Sequence, residues 1–206
     1  MTSLPVLTTT PTRHPTSCAS LSLPLLSLLN RVLPSSNPPS PTNSPTLTLS
    51  IGSGPGLLEA LFLHHYPSRS SSFYGVEVAP PLSQLKEGKE VNTWLPEQNA
   101  ITVPGTWALV GREWLEETGG LVFVYPRSGG LVGRYLAEME EIAAERRGKG
   151  LEVVVWIGPW CDVEEYKTVL EGWGVREDVT GEEEGSGGKL VAEGEVVLVY
   201  RSRRRE

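Results

Sequence analysis

The strongest constraint on the fold is a change of pattern near residue 46, after which apolar runs of strand length alternate with amphipathic stretches of helix length. This alternation is typical of an α/β domain built on a mostly parallel sheet with helices on both faces. The segment 181–188 is too polar and glycine-rich for a helical crossover, so the strands that flank it must pair antiparallel or leave the sheet. The predicted strands are 47–51, 73–78, 100–103, 121–125, 151–157, 175–179 and 195–200, and the predicted helices are 57–66, 131–147 and 163–170.

The first 45 residues differ in composition from the rest of the chain. They hold nine of the 17 prolines and many serines and threonines, whereas all 25 acidic residues follow residue 58. Such a composition favours a segment without a packed core. We therefore expect a Pro/Ser/Thr-rich extension over 1–45 and one domain over 46–206. Within the extension we expect a disordered lead over 1–19, a short helix over 21–33 and a linker over 34–45.

Charge and cysteine content exclude several classes of protein. No run of 18 apolar residues is present, which argues against a membrane span. The formal net charge of −7 argues against nucleic acid as a partner. With only Cys18 and Cys161, the chain offers neither a disulfide framework nor a CxxC zinc site, and no metal is expected. We expect a cytoplasmic protein, with mitochondrial targeting as the alternative because the N-terminus is free of acidic residues.

A glycine-rich turn joins the first predicted strand to the helix after it. Glycines let a ligand approach the backbone closely, and the N–H groups at a helix N-terminus attract its polar groups. The turn therefore predicts a site for a nucleoside cofactor, with an ordinary strand-to-helix connection as the alternative. A dinucleotide fingerprint needs its third glycine at position 57, which is occupied by Leu57. The turn consists of Gly52, Ser53, Gly54, Pro55 and Gly56.

A single acidic residue ends the second predicted strand. Glu77 follows Gly56 by 21 residues and stands between two valines at the strand terminus. A carboxylate at this place can accept hydrogen bonds from both ribose hydroxyls of a nucleoside cofactor. Each such charge-assisted bond is worth about 1.5–3 kcal/mol. The alternative is a solvated carboxylate at the end of an edge strand.

Together, the glycine turn, Glu77 and the terminal strand pair are similar to those of the class I S-adenosylmethionine-dependent methyltransferases. The resemblance covers about residues 46–200. It implies a Rossmann-like methyltransferase fold, in which a seven-stranded sheet is mostly parallel with an antiparallel C-terminal strand. It also implies S-adenosylmethionine as the cofactor, held by the turn and by Glu77. Within the family the chain resembles small, divergent, fungal-like members.

The third cofactor contact of that family follows the third strand and borders the adenine. The matching positions here are Thr106, where the family often has an acidic residue, and Trp107. The resemblance implies that both residues contact the cofactor, with the Trp107 indole able to stack on the base. For Trp107, a role as the core anchor of a helix is the alternative.

The fourth predicted strand ends in Val124-Tyr125-Pro126-Arg127. Family members that methylate nucleobase or glutamine amino groups have Asp or Asn here, then two prolines and an aromatic residue. Only Pro126 matches, which argues against those two acceptors. Tyr125 and Arg127 are candidates for lining the acceptor pocket, where Arg127 could bind a carboxylate or phosphate. A structural turn is the alternative.

No residue of the sequence is an obvious catalytic base. A sulfonium leaves readily, so methyl transfer to an acceptor that is already nucleophilic depends mainly on alignment and desolvation. If a proton must be removed, the candidates are His64, His65, Tyr125 and Glu59. For the two histidines we favour an interaction with the dipole at a helix C-terminus, and for Cys161 simple packing.

Three functional hypotheses follow. The first is an S-adenosylmethionine-dependent methyltransferase that acts on a small molecule or a protein acceptor. The second is a catalytically inactive relative that acts through a protein partner. The third is a nicotinamide-dependent oxidoreductase, against which the glycine spacing and the C-terminal antiparallel strand count. Residues 79–99, including Trp94, and the N-terminal helix are candidates to cover the site.

Overall fold

A seven-stranded sheet organises the protein, and the computed structural model describes residues 3–34, 46–79, 93–146, 150–179 and 188–203. The strands are β1 (Leu47–Ile51), β2 (Phe73–Val78), β3 (Ala100–Val103), β4 (Thr118–Val124), β5 (Val153–Pro159), β6 (Gly174–Glu177) and β7 (Glu195–Ser202). The α-helices among these residues are α1 (Leu23–Val32), α2 (Leu57–His65), α3 (Arg112–Glu116), α4 (Gly129–Glu145) and α5 (Val163–Trp173). Short 3-10 helices lie at Pro67–Arg69, Glu97–Asn99 and Trp160–Asp162.

The strand order across the sheet is β3-β2-β1-β4-β5-β7-β6. Strands β1 to β5 are parallel, whereas β7 lies antiparallel between β5 and β6. The expected Rossmann-like sheet, mostly parallel with an antiparallel C-terminal strand, is confirmed. The expected antiparallel pairing of the last two strands is confirmed as well, although most of the loop predicted at 181–188 lies outside the described residues.

The first three predicted strands match the structure residue for residue, whereas the fourth does not. Strand β4 begins at Thr118 and includes Gly119 and Gly120, which lie before the predicted strand 121–125. Gly120 fits in the strand because it pairs with Thr48 of β1 on one side and with Val153 of β5 on the other. Gly119 is the extra residue of a β-bulge against β1, and its carbonyl oxygen accepts from the Glu152 N–H at 2.8 Å. Tyr125 was predicted to end this strand but lies outside it, with a left-handed φ of 48°.

Two hydrophobic clusters fill the two faces of the sheet. Helices α1 and α2 cover one face, where their buried residues form one cluster with Val122, Val124 and Val155. Helices α3, α4 and α5 cover the other face, against Leu121 and Phe123. Because neighbouring residues of β4 point to opposite faces, a single fully buried strand contributes to both clusters.

The N-terminal segment is part of this architecture. The short helix expected over 21–33 is confirmed as α1, and its Ser22 side chain caps it by accepting a hydrogen bond from the Leu25 N–H. The expectation of disorder over 1–19 is wrong for residues 3–19, because Leu7 and Ala19 are buried in the cluster that α1 and α2 share. Most of the linker predicted at 34–45 lies outside the described residues, and the domain boundary at residue 46 stays a prediction.

A buried arginine holds α1 against the rest of the protein. Arg69 is only 7% exposed and donates to the carbonyl oxygens of Asn30 and Pro34 and to the side-chain oxygen of Asn30. These acceptors lie at the C-terminal end of α1, where carbonyl groups lack partners within the helix. The guanidinium therefore serves as a C-terminal cap supplied by a distant part of the chain.

Candidate functional site

The glycine turn lies at the end of the sheet where the parallel strands finish, which we call the carboxyl end. Gly52, Gly54 and Gly56 all have positive φ, at 80°, 55° and 79°, which explains why glycine occupies each position. The N–H groups of Gly52 and Ser53 donate to the Val76 carbonyl oxygen at 2.9 and 3.2 Å. The turn is thus fixed to β2 by its first two residues.

Open space lies beside Gly54, in the later part of the turn. A Cβ added at Gly54 would meet nothing within 4 Å among the described residues. Gly56 begins α2 in a left-handed conformation, and no side chain in the described part of the chain caps this helix end. An uncapped helix N-terminus beside open space offers N–H groups and a positive dipole end to a polar ligand.

Glu77 lies next to this turn. One carboxylate oxygen accepts from the Gly54 N–H at 2.6 Å and the other from the Val78 N–H at 2.9 Å. The carboxylate is half-buried and held in place by two backbone donors. Since each oxygen can accept more than one hydrogen bond, Glu77 retains acceptor capacity for a ligand at the turn.

A second carboxylate, that of Glu59, follows the glycine turn. Glu59 is one of the candidate bases named from the sequence. Glu59, in the first turn of α2, is 1% exposed and accepts a hydrogen bond from the Ser50 hydroxyl at 2.6 Å. Its second oxygen has no hydrogen-bond partner among the described residues. Burial raises the pKa of Glu59 to about 7, and the negative charge of Glu77 adds to the rise, whereas the Ser50 bond opposes it. The sequence feature that could have indicated this buried carboxylate is a charged residue within the otherwise apolar first part of α2.

Thr106 and Trp107 follow β3 and are both exposed. The Trp107 side chain is 64% exposed, so the alternative of a core anchor is wrong. Its indole lies over Gly105, where an added Cβ would come within 2.7 Å of the indole nitrogen. The backbone carbonyl oxygen of Trp107 accepts a hydrogen bond from the Arg134 guanidinium. The ring therefore has a fixed base and an exposed surface on which a planar group could stack.

Tyr125 follows β4 at the carboxyl end of the sheet, and its N–H donates to the Ile157 carbonyl oxygen at 2.8 Å. Its side chain is half-buried beside Glu195. Burial, and then the neighbouring Glu195 carboxylate, raise the pKa of Tyr125 well above its usual value. Tyr125 is therefore a neutral hydrogen-bond donor and is unsuited to the role of base named for it above.

Arg127 is exposed two residues further on. The preceding carbonyl group, that of Pro126, accepts a hydrogen bond from the Tyr166 hydroxyl of α5. This hydrogen bond holds the turn that follows β4. Tyr125 lies near the site, whereas the Arg127 side chain is exposed to solvent.

Glu195 and its partners form a cluster that the sequence analysis missed. One oxygen of the Glu195 carboxylate accepts from the Ser20 N–H at 3.0 Å and from the Ser20 hydroxyl at 2.6 Å. The other oxygen lies 3.1 Å from the Arg13 guanidinium, and the Glu195 side chain is only 1% exposed. Ser20 and Glu195 are 175 positions apart in the chain, so no local pattern could have indicated the contact.

The remaining candidates lie away from this cluster. His64 and His65 are exposed in the last turn of α2, in agreement with the interaction expected at a helix C-terminus. Cys161 is exposed and unpaired, so its expected packing role is wrong, and Cys18 is exposed and unpaired too. Within the described residues, no group of three or more His, Cys, Asp or Glu could hold a metal ion. No helix in that same part of the chain is long and apolar enough to cross a membrane.

The connection between β2 and β3 also reaches the site. The N–H groups of Thr93 and Trp94 donate to the carbonyl oxygen of Pro55, in the glycine turn, at 3.1 and 3.0 Å. Part of the segment expected to cover the site therefore lies beside the turn. Residues 80–92 of that segment lie outside the described residues.

No protein-family model and no curated protein matches the sequence. Among solved structures, a candidate tRNA (m1A22) methyltransferase of Streptococcus pneumoniae in complex with S-adenosyl-L-methionine is 15% identical, with a TM-score of 0.49 over 90% of this chain and 75% of that one. A precorrin-6y C5,15-methyltransferase of Geobacter metallireducens is 16% identical, with a TM-score of 0.43 over 85% and 82% of the two chains.

A protein of the NADB-Rossmann superfamily from Streptococcus agalactiae is 12% identical, with a TM-score of 0.45 over 88% of this chain and 68% of that one. At these identities and TM-scores the likenesses carry no weight for function. The fold rests on the strand order, and the site rests on the contacts described above. The fungal-like character expected from the sequence stays a prediction.

Proposed function

We propose that this protein is an S-adenosylmethionine-dependent methyltransferase that acts on a small molecule or a protein acceptor. One observation supports the proposal above the others: the Gly54 N–H bonds the Glu77 carboxylate at the carboxyl end of a parallel sheet. In open α/β sheets this is where nucleoside cofactors bind, with the turn after the first strand and an acidic residue after the second. The glycine spacing and the antiparallel β7 favour this cofactor over a nicotinamide dinucleotide.

The residues present fit such a cofactor. The open space beside Gly54 and the uncapped N-terminus of α2 suit a ligand that approaches the backbone closely. Glu77 would accept hydrogen bonds from the ribose hydroxyls, Gly52, Ser53 and the rest of the turn would line the site, and Thr106 and Trp107 would border the adenine. When bound, S-adenosylmethionine supplies a methyl group that is activated by its attachment to a sulfonium sulfur.

On the acceptor side, the described residues offer alignment and no base. Tyr125 is neutral and directs its hydroxyl proton to Glu195, so its oxygen can orient an acceptor by accepting a hydrogen bond from it, without removing a proton. Exclusion of water around an already nucleophilic acceptor then supplies the remaining catalysis. Arg127, exposed nearby, is a second candidate for contact with the acceptor.

Charge and thiol chemistry support the rest of the proposal. The net charge of −7 disfavours nucleic acid as the acceptor, because a polyanion would be repelled at long range. The exposed and unpaired Cys18 and Cys161 suit a reducing compartment, which supports the cytoplasm.

Calorimetric titration with S-adenosylmethionine, S-adenosylhomocysteine and NADH tests the cofactor. We expect micromolar binding of the first two ligands and no binding of NADH. Glu77→Ala should weaken binding about 100-fold, since it removes charge-assisted hydrogen bonds and frees the Gly54 N–H. Glu97→Ala, which removes an exposed carboxylate from the connection between β2 and β3, is the matched control. Equal binding of the wild type and Glu77→Ala, or no binding at millimolar ligand, would contradict the proposal.

Transfer of a labelled methyl group from S-adenosylmethionine to a cell extract then tests catalysis. Label that appears with the wild type and not with Glu77→Ala supports an enzyme. Glu77-dependent cofactor binding without any transfer would instead indicate a relative that binds the cofactor and acts in another way.

A further inference from the structure

Residues 12–21 form a closed loop, which we call the strap. Thr12 and Leu21 exchange two backbone hydrogen bonds, at 3.0 and 2.8 Å, and so close the strap at its base. Within the strap, the Ser17 N–H donates to the His14 carbonyl oxygen at 2.9 Å. The Ser17 hydroxyl donates to the Ala19 carbonyl oxygen at 2.7 Å. The strap thus has a defined shape of its own.

One part of the strap is attached beside the glycine turn. The Trp94 indole N–H donates to the Thr16 hydroxyl oxygen at 3.1 Å, and the His14 ring meets the Trp94 ring edge to face at 5.8 Å. Trp94 is itself bonded through its backbone N–H to Pro55 in the turn. Trp94 therefore links the strap to the glycine turn of the proposed cofactor site.

Another part of the strap is attached at the acceptor side. Ser20 donates twice to the buried Glu195 carboxylate, and Arg13 forms an ion pair with it. The Ser20 hydroxyl oxygen also accepts from the Ala192 N–H at 2.7 Å. The same carboxylate lies beside the Tyr125 side chain, so the residue at the end of β4 and the strap share one anionic partner.

The sheet order fixes how far apart these attachments are. Glu195 begins β7 opposite Pro159 at the end of β5, whereas Pro55 follows β1. Since β4 and β5 lie between β1 and β7, the attachments are about three strand spacings apart, roughly 14 Å. The strap therefore crosses the carboxyl end of the sheet from the glycine turn to the acceptor side.

We propose that the strap closes the acceptor side of the site and restricts the acceptor to a small molecule that fits between the strap and the end of β4. This inference rests on the proposed methyltransferase function and narrows it. A folded protein or a structured nucleic acid cannot bring a nucleophile to Tyr125 while the strap is fastened to Glu195. Glu195 is the positioning residue that keeps the strap closed.

Hydrogen–deuterium exchange on the full chain tests the strap without any ligand. The backbone N–H groups of Thr12 and Leu21 should be protected in the wild type. In Glu195→Gln and in Ser20→Ala the exchange of this peptide should accelerate about tenfold or more, because charge-assisted contacts are lost. Glu193→Gln, which alters an exposed carboxylate two residues away, is the matched control and should exchange like the wild type. Ser20→Ala guards against a folding defect at the buried Glu195, and thermal unfolding of both variants checks this.

The acceptor class is tested by separating the products of labelled-methyl transfer into small molecules, protein and nucleic acid. We expect the wild-type label in the small-molecule fraction, and faster release of S-adenosylhomocysteine from Glu195→Gln than from the wild type or Glu193→Gln. Label confined to protein or nucleic acid would overturn the strap inference while leaving the methyltransferase intact. Unchanged exchange of residues 12–21 in both variants would overturn it too. Absence of Glu77-dependent cofactor binding by calorimetry would instead reject the proposed function, and the strap inference with it.

Discussion

The two halves of the candidate site are assembled in opposite ways. Most of the cofactor half comes from one continuous stretch, β1 to β2, in which the glycine turn and Glu77 are close in sequence and in space, and Thr106 and Trp107 follow the next strand, β3. The acceptor half joins Ser20 and Arg13 to Glu195, across 175 residues or more. A site built from one supersecondary unit leaves a readable sequence pattern, whereas a site built from distant segments leaves none. The predictions below test whether the two halves also differ energetically.

Arg69→Met should have the largest effect, because it strikes the attachment of the N-terminal segment on which the acceptor half depends. The buried guanidinium satisfies carbonyl oxygens at the end of α1, and the methionine would leave them without a partner. We expect the free energy of unfolding to fall by about 3 kcal/mol. Urea denaturation measures this change.

Arg69→Lys is the control for that substitution. It keeps a cation but loses the several donors of the planar group, so an intermediate loss is expected. If the methionine variant were as stable as the wild type, the N-terminal segment would not be an integral part of the fold.

Glu59→Gln tests the cofactor half through pH. The folded-state pKa of about 7 exceeds the ordinary glutamate pKa of about 4.5, so between these two pH values the folded protein holds a proton that the unfolded chain releases. The contribution of Glu59 to stability therefore falls as pH rises from about 4.5 to about 7 and is constant above that range. The glutamine variant lacks this slope and should be more stable than the wild type at pH 8 by on the order of 2–3 kcal/mol. Thermal or urea unfolding at pH 5 and pH 8 measures the difference.

Ser50→Ala is the companion of Glu59→Gln. It removes the hydrogen bond that lowers the Glu59 pKa, so the decline of stability should continue to higher pH than in the wild type. Parallel pH profiles for the wild type and Glu59→Gln would show that Glu59 is not the group that titrates.

Ser20→Ala tests the acceptor half and should have a smaller effect on stability. It removes the hydroxyl bond to Glu195 and leaves the Ala192 N–H without its acceptor. We expect a loss of about 1–2 kcal/mol in the free energy of unfolding. The exposed Ser71 supplies the matched substitution, and Ser71→Ala should change stability by less than about 0.5 kcal/mol.

Trp107→Ala should have the smallest effect. Its side chain is mostly exposed, so stability should hardly change, while the affinity for S-adenosylhomocysteine should fall about tenfold through the loss of stacking. Trp160→Ala, at an exposed tryptophan after β5, is the control and should bind normally. Equal affinities for the wild type and Trp107→Ala would remove this residue from the cofactor half.

Much of the fold could be predicted because its signals are local. Strands β1, β2 and β3 are bounded by glycine or proline or by a change of polarity, and their predicted limits match the structure. Strand β4 begins earlier because pairing on both sides outweighs the low strand propensity of Gly120, while Gly119 is the extra residue of a bulge against β1. That compensation depends on the position of the strand in the sheet, which a local pattern does not contain.

The acceptor half could not be predicted for a related reason. The proline, serine and threonine content of residues 3–19 is typical of a disordered segment, yet Leu7 and Ala19 are buried against the sheet and Ser20 bonds Glu195. A few apolar residues are enough when a preformed surface receives them. Tyr125 was found because it ends a predicted strand and follows β4 in the structure, whereas its partner Glu195 appeared only as the first residue of another strand.

The position of β7 gives the protein a point of vulnerability. This strand covers the side of β5 that would otherwise end the sheet, and the facing residues of β5 are Val153 to Ile157, all fully buried. If β7 detached, it would take Glu195 with it, open the site, and leave an uncharged apolar strand edge free to pair with another chain. Loss of the proposed activity and onset of aggregation would then share a single structural cause.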